Sequence, residues 1–177
     1  MKFKLVRFAC VAIALLLASH ATGVDAQAQA VALPNLVVST LDGKTFDLTA
    51  HRGQWVIVNF WATWCSPCIA EMPAISEYVA AHKHVTAIGL AWEDASRDEL
   101  VNFAKKHPVD YPLAQIDISH PPADFAPPAA LPTTYLIAPD GAVARHFLGP
   151  VDAKVLDAAI AAASAHRPLV PTSAAKR

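Results

Sequence analysis

Seven consecutive residues, Trp55-Val56-Ile57-Val58-Asn59-Phe60-Trp61, hold one polar side chain, and three residues later the chain reads Cys65-Ser66-Pro67-Cys68. A run this short and this apolar reads as a strand covered on both faces, which requires a sheet flanked by helices. Downstream, Ile69, Met72, Ile75, Tyr78 and Val79 recur at helical spacing, with Pro73 expected to kink the helix. The two thiols therefore sit at a strand-to-helix junction. There the unpaired N–H groups of the first turn and the positive end of the helix dipole favour thiolate. Cys65 holds that position and is the expected nucleophile. Cys68, one turn on and expected to be more buried, is the expected resolving thiol, and Pro67 suits a first turn that needs no N–H.

The remaining elements follow from local signals. Leu36 to Leu48 reads as two short strands around Asp42-Gly43, a hairpin turn, and Val85 to Ala91 as a second buried strand. Ser96 and Glu99 have capping-box spacing ahead of a helix that runs to His107 and stops at Pro108. Tyr111 to Ile118 reads as a weaker strand. Residues 119–132 carry five prolines and exclude a continuous helix. Thr133 to Ala138 and Ala142 to Phe147 flank Pro139-Asp140-Gly141 as a second hairpin. Val151 to Ala165 closes the chain as an Ala-rich helix with Val151, Val155, Leu156, Ala159 and Ile160 on its apolar face. His82 and His84 are expected on a solvated helix end. The order is that of an α/β sheet covered by helices.

Some of the apolar content belongs elsewhere. Lys2, Lys4 and Arg7 precede an uncharged run from Phe8 to Ala18, followed by the A-x-A-like sites Val24-Asp25-Ala26 and Ala28-Gln29-Ala30. That pattern is a secretory signal peptide over residues 1–26; the run is short for a membrane span of roughly 20 residues, and a retained N-terminal anchor is the alternative. A flexible segment 27–33, one domain over 34–166 and a disordered tail 167–177 complete the expected organisation. Cleavage removes three of the 14 basic residues, one of the 15 acidic ones and Cys10, leaving a formal charge of −3. No basic patch survives to mark a nucleic-acid binder. The two cysteines that remain close too small a loop to act as a staple, so their use is chemical. With no second cysteine pair, a structural zinc site lacks its ligands, and no metal or cofactor is called for.

The stretch Trp61-Ala62-Thr63-Trp64-Cys65-Ser66-Pro67-Cys68 with Glu71-Met72-Pro73, and a second stretch Leu131-Pro132-Thr133-Thr134-Tyr135-Leu136-Ile137, resemble the active site and cis-proline loop of thioredoxin-fold proteins. More narrowly they resemble the TlpA/ResA-like exported thiol-disulfide oxidoreductases, over roughly residues 34–166. The resemblance implies a thioredoxin-like central mixed sheet flanked by helices, with an N-terminal β-hairpin extension. It also implies that Pro132 is cis beside the nucleophile, and that Leu131 and its neighbour Thr133 line the edge where an extended client pairs. The bland alternative is that Pro132 only starts a strand. Where thioredoxin carries a buried Asp, the matching residue here is Asn59, which cannot titrate; the resemblance moves proton handling or partner recognition to Glu71. The alternative is a surface glutamate favoured by the helix dipole. Trp64 is a candidate partner-contact aromatic, and Trp61 a core one. Ala130 stands where the family often has Gly, and His120 to Ala130 does not match the family's usual short helix.

The function so implied is a periplasmic reductase of selected disulfide-bearing clients, apocytochrome c or copper-site respiratory proteins. A membrane electron donor of the DsbD/CcdA type would supply it, and no stable membrane span would remain once the leader is removed. The Thr-Thr after Pro132 departs from the Ala-Pro-Glu-Thr of one cytochrome-maturation subgroup. Two alternatives stay open: a general disulfide oxidase or isomerase, and a copper-binding or copper-delivery protein using the same two thiolates. A peroxiredoxin is disfavoured because the nucleophile sits in C-x-x-C rather than alone.

Overall fold

The computed structural model describes residues 33–165; the leader, the anchor alternative and the C-terminal tail lie outside them. Two strands, β1 (Val37–Ser39) and β2 (Thr45–Asp47), form the expected hairpin, paired Val37↔Asp47 to Ser39↔Thr45. The apolar run is β3 (Trp55–Trp61), buried along its whole length. The helix α1 (Ser66–Ala81) leads to β4 (Val85–Ala91), then α2 (Arg97–Lys106) to β5 (Leu113–Gln115). After the proline-dense link, β6 (Thr133–Ile137) and β7 (Val143–Leu148) form the second hairpin, and α3 (Ala153–Ala165) closes the fold.

The main sheet has the order β5-β4-β3-β6-β7. It is mixed: β3 is parallel to β4, and β4 to β5, while β6 is antiparallel to both β3 and β7. The connections β3-α1-β4 and β4-α2-β5 step across the sheet in the same direction. Right-handed crossovers therefore put both helices on one face. The packing agrees, for Met72 and Ile75 of α1, Leu100 of α2 and Leu156 of α3 share one buried cluster with Ile57 and Trp61 of β3. The link from β5 to β6 must cross back over β4 and β3, and it takes the other face. There Phe125 joins Val56, Val58, Phe60 and Tyr135, together with Leu36, Phe46 and Leu48 from the hairpin side. The period-two alternation of β3 thus sorts its side chains into two cores.

Four sequence expectations need correction. The weaker strand is shorter than Tyr111 to Ile118, because only Leu113–Gln115 finds a parallel partner in β4. Its outer side is met by the hairpin instead, through a Thr40↔Ala114 bridge and a Leu41 N–H to Leu113 carbonyl bond of 2.7 Å. The closing helix starts at Ala153, and Val155 is exposed rather than on the packed face. The ring of His82 is half-buried and stacks on Tyr78 at 4.1 Å, so it is not a solvated helix end. Pro73 lies inside α1, which continues past it to Ala81. The capping box at Ser96 and Glu99 forms as expected, with both reciprocal bonds present.

Candidate active site

The site is built at the end of the sheet where β3 ends and β6 begins. Strand β3 delivers Ala62, Thr63 and Trp64 into a short link that must turn sharply before α1. Glu93, two residues beyond β4, fixes that link: its carboxylate accepts from the Thr63 N–H at 2.6 Å and from the Thr63 hydroxyl at 2.9 Å. Trp92 N–H donates to the Trp61 carbonyl at 2.7 Å, prolonging the β3–β4 pairing to the edge of the link. Nothing in the sequence pattern singled out Glu93. The available signal was register, since Trp61 pairs with Ala91 and places residues 63 and 93 level.

Cys65 is the N-cap of α1, in extended backbone conformation, and its Sγ accepts from the Cys68 N–H at 3.3 Å. Side-chain oxygens usually satisfy that orphan donor; here a sulfur does, which is the environment that stabilises a thiolate. Cys65 and Cys68 are joined as a disulfide. Cys68 is completely buried and Cys65 almost so, at 4% exposure, while Ser66 and Pro67 between them are exposed. Trp64, immediately before Cys65, is 68% exposed, the largest value among the exposed large apolar residues of the described chain; Trp61 is in the core.

The peptide bond Leu131–Pro132 is cis. The pairing Phe60↔Thr133 sets Pro132 beside the end of β3, next to the link that carries the cysteines. Leu131 is half-buried, whereas Thr133 is fully buried and its hydroxyl donates to the Ala130 carbonyl at 2.7 Å. The Pro132 carbonyl accepts from Gly149 N–H at 2.9 Å, which ties this loop to the segment after β7.

Glu71 is not a surface residue: it is 4% exposed, beneath the helix rather than on its solvent side. Its Oε1 accepts from Asn59 Nδ2 at 2.8 Å and its Oε2 from the Val151 N–H at 2.8 Å. Burial pushes its carboxyl above the usual glutamate range, and the two hydrogen bonds only partly offset that. Asn59, wholly buried, gives its other amide hydrogen to Thr134 Oγ1 at 3.0 Å, leaving Oδ1 with no protein partner. Tyr111, whose phenol is raised by burial and by the nearby Glu71 charge, also has an unpartnered hydroxyl. The sequence missed this set as a unit. Asn59, Glu71 and Thr134 are far apart along the chain, and the pairing Asn59↔Thr134 exists only in the assembled sheet. Among the described residues no group of three or more His, Cys, Asp or Glu is placed to hold a metal ion, and no helix is long and apolar enough to cross a membrane.

Comparisons with known proteins agree with this geometry. Residues 24–146 match the AhpC/TSA family. The chain is 38% identical to the thiol-disulfide oxidoreductase ResA of Bacillus cereus over 120 residues, covering 66% of this chain and 67% of the relative. Among solved structures, a thiol:disulfide interchange protein of the thioredoxin family from Chlorobium tepidum superposes with TM-score 0.60 at 26% identity, over 73% of this chain and 93% of the other. A secreted thiol-disulfide isomerase from Corynebacterium glutamicum superposes with TM-score 0.64 at 27% identity, over 75% and 85%.

Proposed function

Because the chain belongs to the AhpC/TSA family, as a thioredoxin-like thiol-disulfide oxidoreductase similar to ResA, we propose that it works as an exported, periplasmic reductase of a few dedicated clients. The observation that carries this reading is the buried Glu71, bonded to Asn59 on the central strand of the same site. A carboxyl raised by burial is a proton acceptor and donor poised closer to neutral pH than an exposed one.

In this mechanism the reduced protein presents Cys65 as thiolate at the helix N-terminus. Its sulfur attacks a client disulfide; the bond from Cys65 to the client forms, and the client's other sulfur leaves as a thiolate. Cys68 then loses its proton to Glu71 and attacks Cys65 Sγ. The Cys65–Cys68 bond forms, the mixed disulfide breaks, and the client leaves with both sulfurs reduced. Two electrons have moved from protein to client, and a membrane donor of the DsbD/CcdA type would restore them. Pro132 and Leu131 would align the client backbone by strand addition, with Thr133 holding the loop and Trp64 offering an exposed aromatic contact. The leader read over residues 1–26 supports export of the domain expected over 34–166. Apocytochrome c or copper-site respiratory proteins are the client classes that the family resemblance favours.

A second reading, a general oxidase or isomerase, is favoured by the isomerase name of the Corynebacterium glutamicum neighbour. The test is a trap: Cys68→Ser expressed in the native compartment should accumulate a mixed disulfide through Cys65 to one or two proteins. Capture of many unrelated disulfide proteins would favour the isomerase reading. Capture of none would reject dedicated exchange.

A further inference from the structure

Glu93 takes no part in the exchange steps, yet both of its carboxylate oxygens are spent on one residue of the link that carries the cysteines. Oε1 accepts from the Thr63 N–H at 2.6 Å and Oε2 from the Thr63 hydroxyl at 2.9 Å. Glu93 is half-buried and makes no ion pair among the described residues. The contact falls where the β3–β4 ladder stops. Trp92 N–H still donates to the Trp61 carbonyl, and one more parallel step would hand the Thr63 N–H to a backbone carbonyl beyond β4. The carboxylate receives that N–H instead, so the chain leaves the sheet at Thr63. Directly afterwards the Cys65 N–H donates to the Ala62 carbonyl at 3.1 Å, closing the turn that sets Cys65 as the N-cap of α1.

We infer that Glu93 is a positioning residue for the nucleophile: by holding Thr63 it fixes the turn that keeps Cys65 Sγ facing the Cys68 N–H. This rests on the reading of Cys65 as the attacking thiol. The Cys68 N–H reaches that sulfur at 3.3 Å, and it is the donor placed to favour thiolate in the reduced protein. A sulfur carried on a loose turn would lose that donor for part of the time, and its line of attack with it. The sign of the Glu93 charge excludes the simpler role. A carboxylate beside a thiol opposes formation of the thiolate, so what Glu93 adds to Cys65 is geometry. No other group does this work. Trp64 is exposed, and Thr63 is the last residue before Cys65 with a hydrogen bond to another element. Glu71, the other carboxylate of the site, lies beneath α1 and is bonded to Asn59 and to the Val151 N–H, away from the link.

The test reads the thiol pKa of the nucleophile in the reduced full chain, from the pH dependence of alkylation by iodoacetamide, with mass spectrometry assigning the labelled cysteine. In Glu93→Ala that value should rise by about half a unit. Attack on a small aromatic disulfide at neutral pH should slow about tenfold. Glu93→Gln can still accept from the Thr63 N–H through its amide oxygen but has lost the charge. It should recover the rate and bring the thiol pKa to the wild-type value or below it. Thr63→Val keeps the N–H bond and loses only the hydroxyl bond, so it should give a smaller change of the same sign. The double variant should be no worse than Glu93→Ala alone, as for two residues that act through one contact. A thiol pKa that falls equally in Glu93→Ala and Glu93→Gln would mean that only the charge matters and would overturn the inference. Additive effects at the two positions would overturn it too. So would an unmoved rate in Thr63→Val, a nearly isosteric change that keeps the test open if Glu93→Ala does not fold. The expected shifts in a protein that reduces no protein disulfide would leave the positioning role standing and reject the reductase reading. Labelling that assigned the reactive thiol to Cys68 would instead remove the reading of Cys65, and this inference with it.

Discussion

The two faces of β3 are built to different standards. On one side Val56, Val58 and Phe60 pack against Phe125, Tyr135 and the hairpin residues, and the buried Thr133 opposite Phe60 has its hydroxyl satisfied by the Ala130 carbonyl. On the other, Ile57 and Trp61 bracket Asn59 under α1, beside a buried carboxyl and the cysteine pair. All three buried side-chain atoms left without partners among the described residues, Asn59 Oδ1, Trp61 Nε1 and Tyr111 Oη, belong to this second side. Even the sheet has been thinned there: a Cβ on Gly89 would stand 2.9 Å from Trp61 Nε1 and 2.5 Å from Leu113 Cδ2. One face therefore closes with its buried polar groups satisfied, and the other accepts unsatisfied polar atoms beside the reacting groups. Local rules are broken where the chemistry is, which is where a fold tolerates such costs.

Perturbing each face should separate the two roles. The largest effect is expected from Cys65→Ser, which should abolish disulfide reduction while leaving the thermal unfolding of the reduced protein nearly unchanged. Truncating the apolar face at Phe60→Ala should cost about 3–5 kcal/mol of stability, read by denaturant unfolding, because a ring at 1% exposure leaves a cavity. The folded fraction should retain the pH profile of exchange; a changed profile would erase the distinction between the faces. On the reactive face, Glu71→Gln should lower the rate of client reduction by about 100-fold, in the usual range for loss of a proton-transfer group.

That substitution also carries a sign for stability. The folded carboxyl of Glu71 lies above its unfolded value, so the folded state holds its proton more tightly than the unfolded chain does. Its contribution is fully present below the ordinary glutamate range, and is lost as pH rises toward the folded value. Stability of the wild type measured against Glu71→Gln should therefore fall across that window and level off above it. A difference that rises with pH would mean that the hydrogen bonds from Asn59 and Val151 outweigh burial. The smallest effect is expected at Trp64→Ala. With 68% of the residue exposed, stability should change by less than about 0.5 kcal/mol, while KM for a protein client should rise several-fold and that for a small disulfide should not.

How much of this was legible in the sequence depended on whether the signal was local. Strands β3 and β4 and the capping box of α2 could be read because apolar runs and caps are written in consecutive residues. The short β5 could not, because its length is set by how far β4 offers parallel partners and by the hairpin that covers its other side. Glu71 left a trace: it falls in the stripe Cys68, Met72, Ile75, one turn from each end, and a charge inside an apolar stripe reads as buried. Its partners left none. Asn59 and Thr134 meet only through the antiparallel register of β3 and β6, and the Val151 N–H reaches Glu71 from 80 residues away. The proline-dense link was readable as non-helical, but not its route over the apolar face, which follows from strand order and from Phe125 as an anchor.

The claim that this face holds a dithiol built to donate electrons is tested most directly by the reduction potential of the Cys65–Cys68 pair, measured by equilibration against a defined thiol buffer at pH 7. The account predicts a value near that of thioredoxin, about −270 mV, and a value near that of the strong oxidant DsbA, about −120 mV, would contradict it.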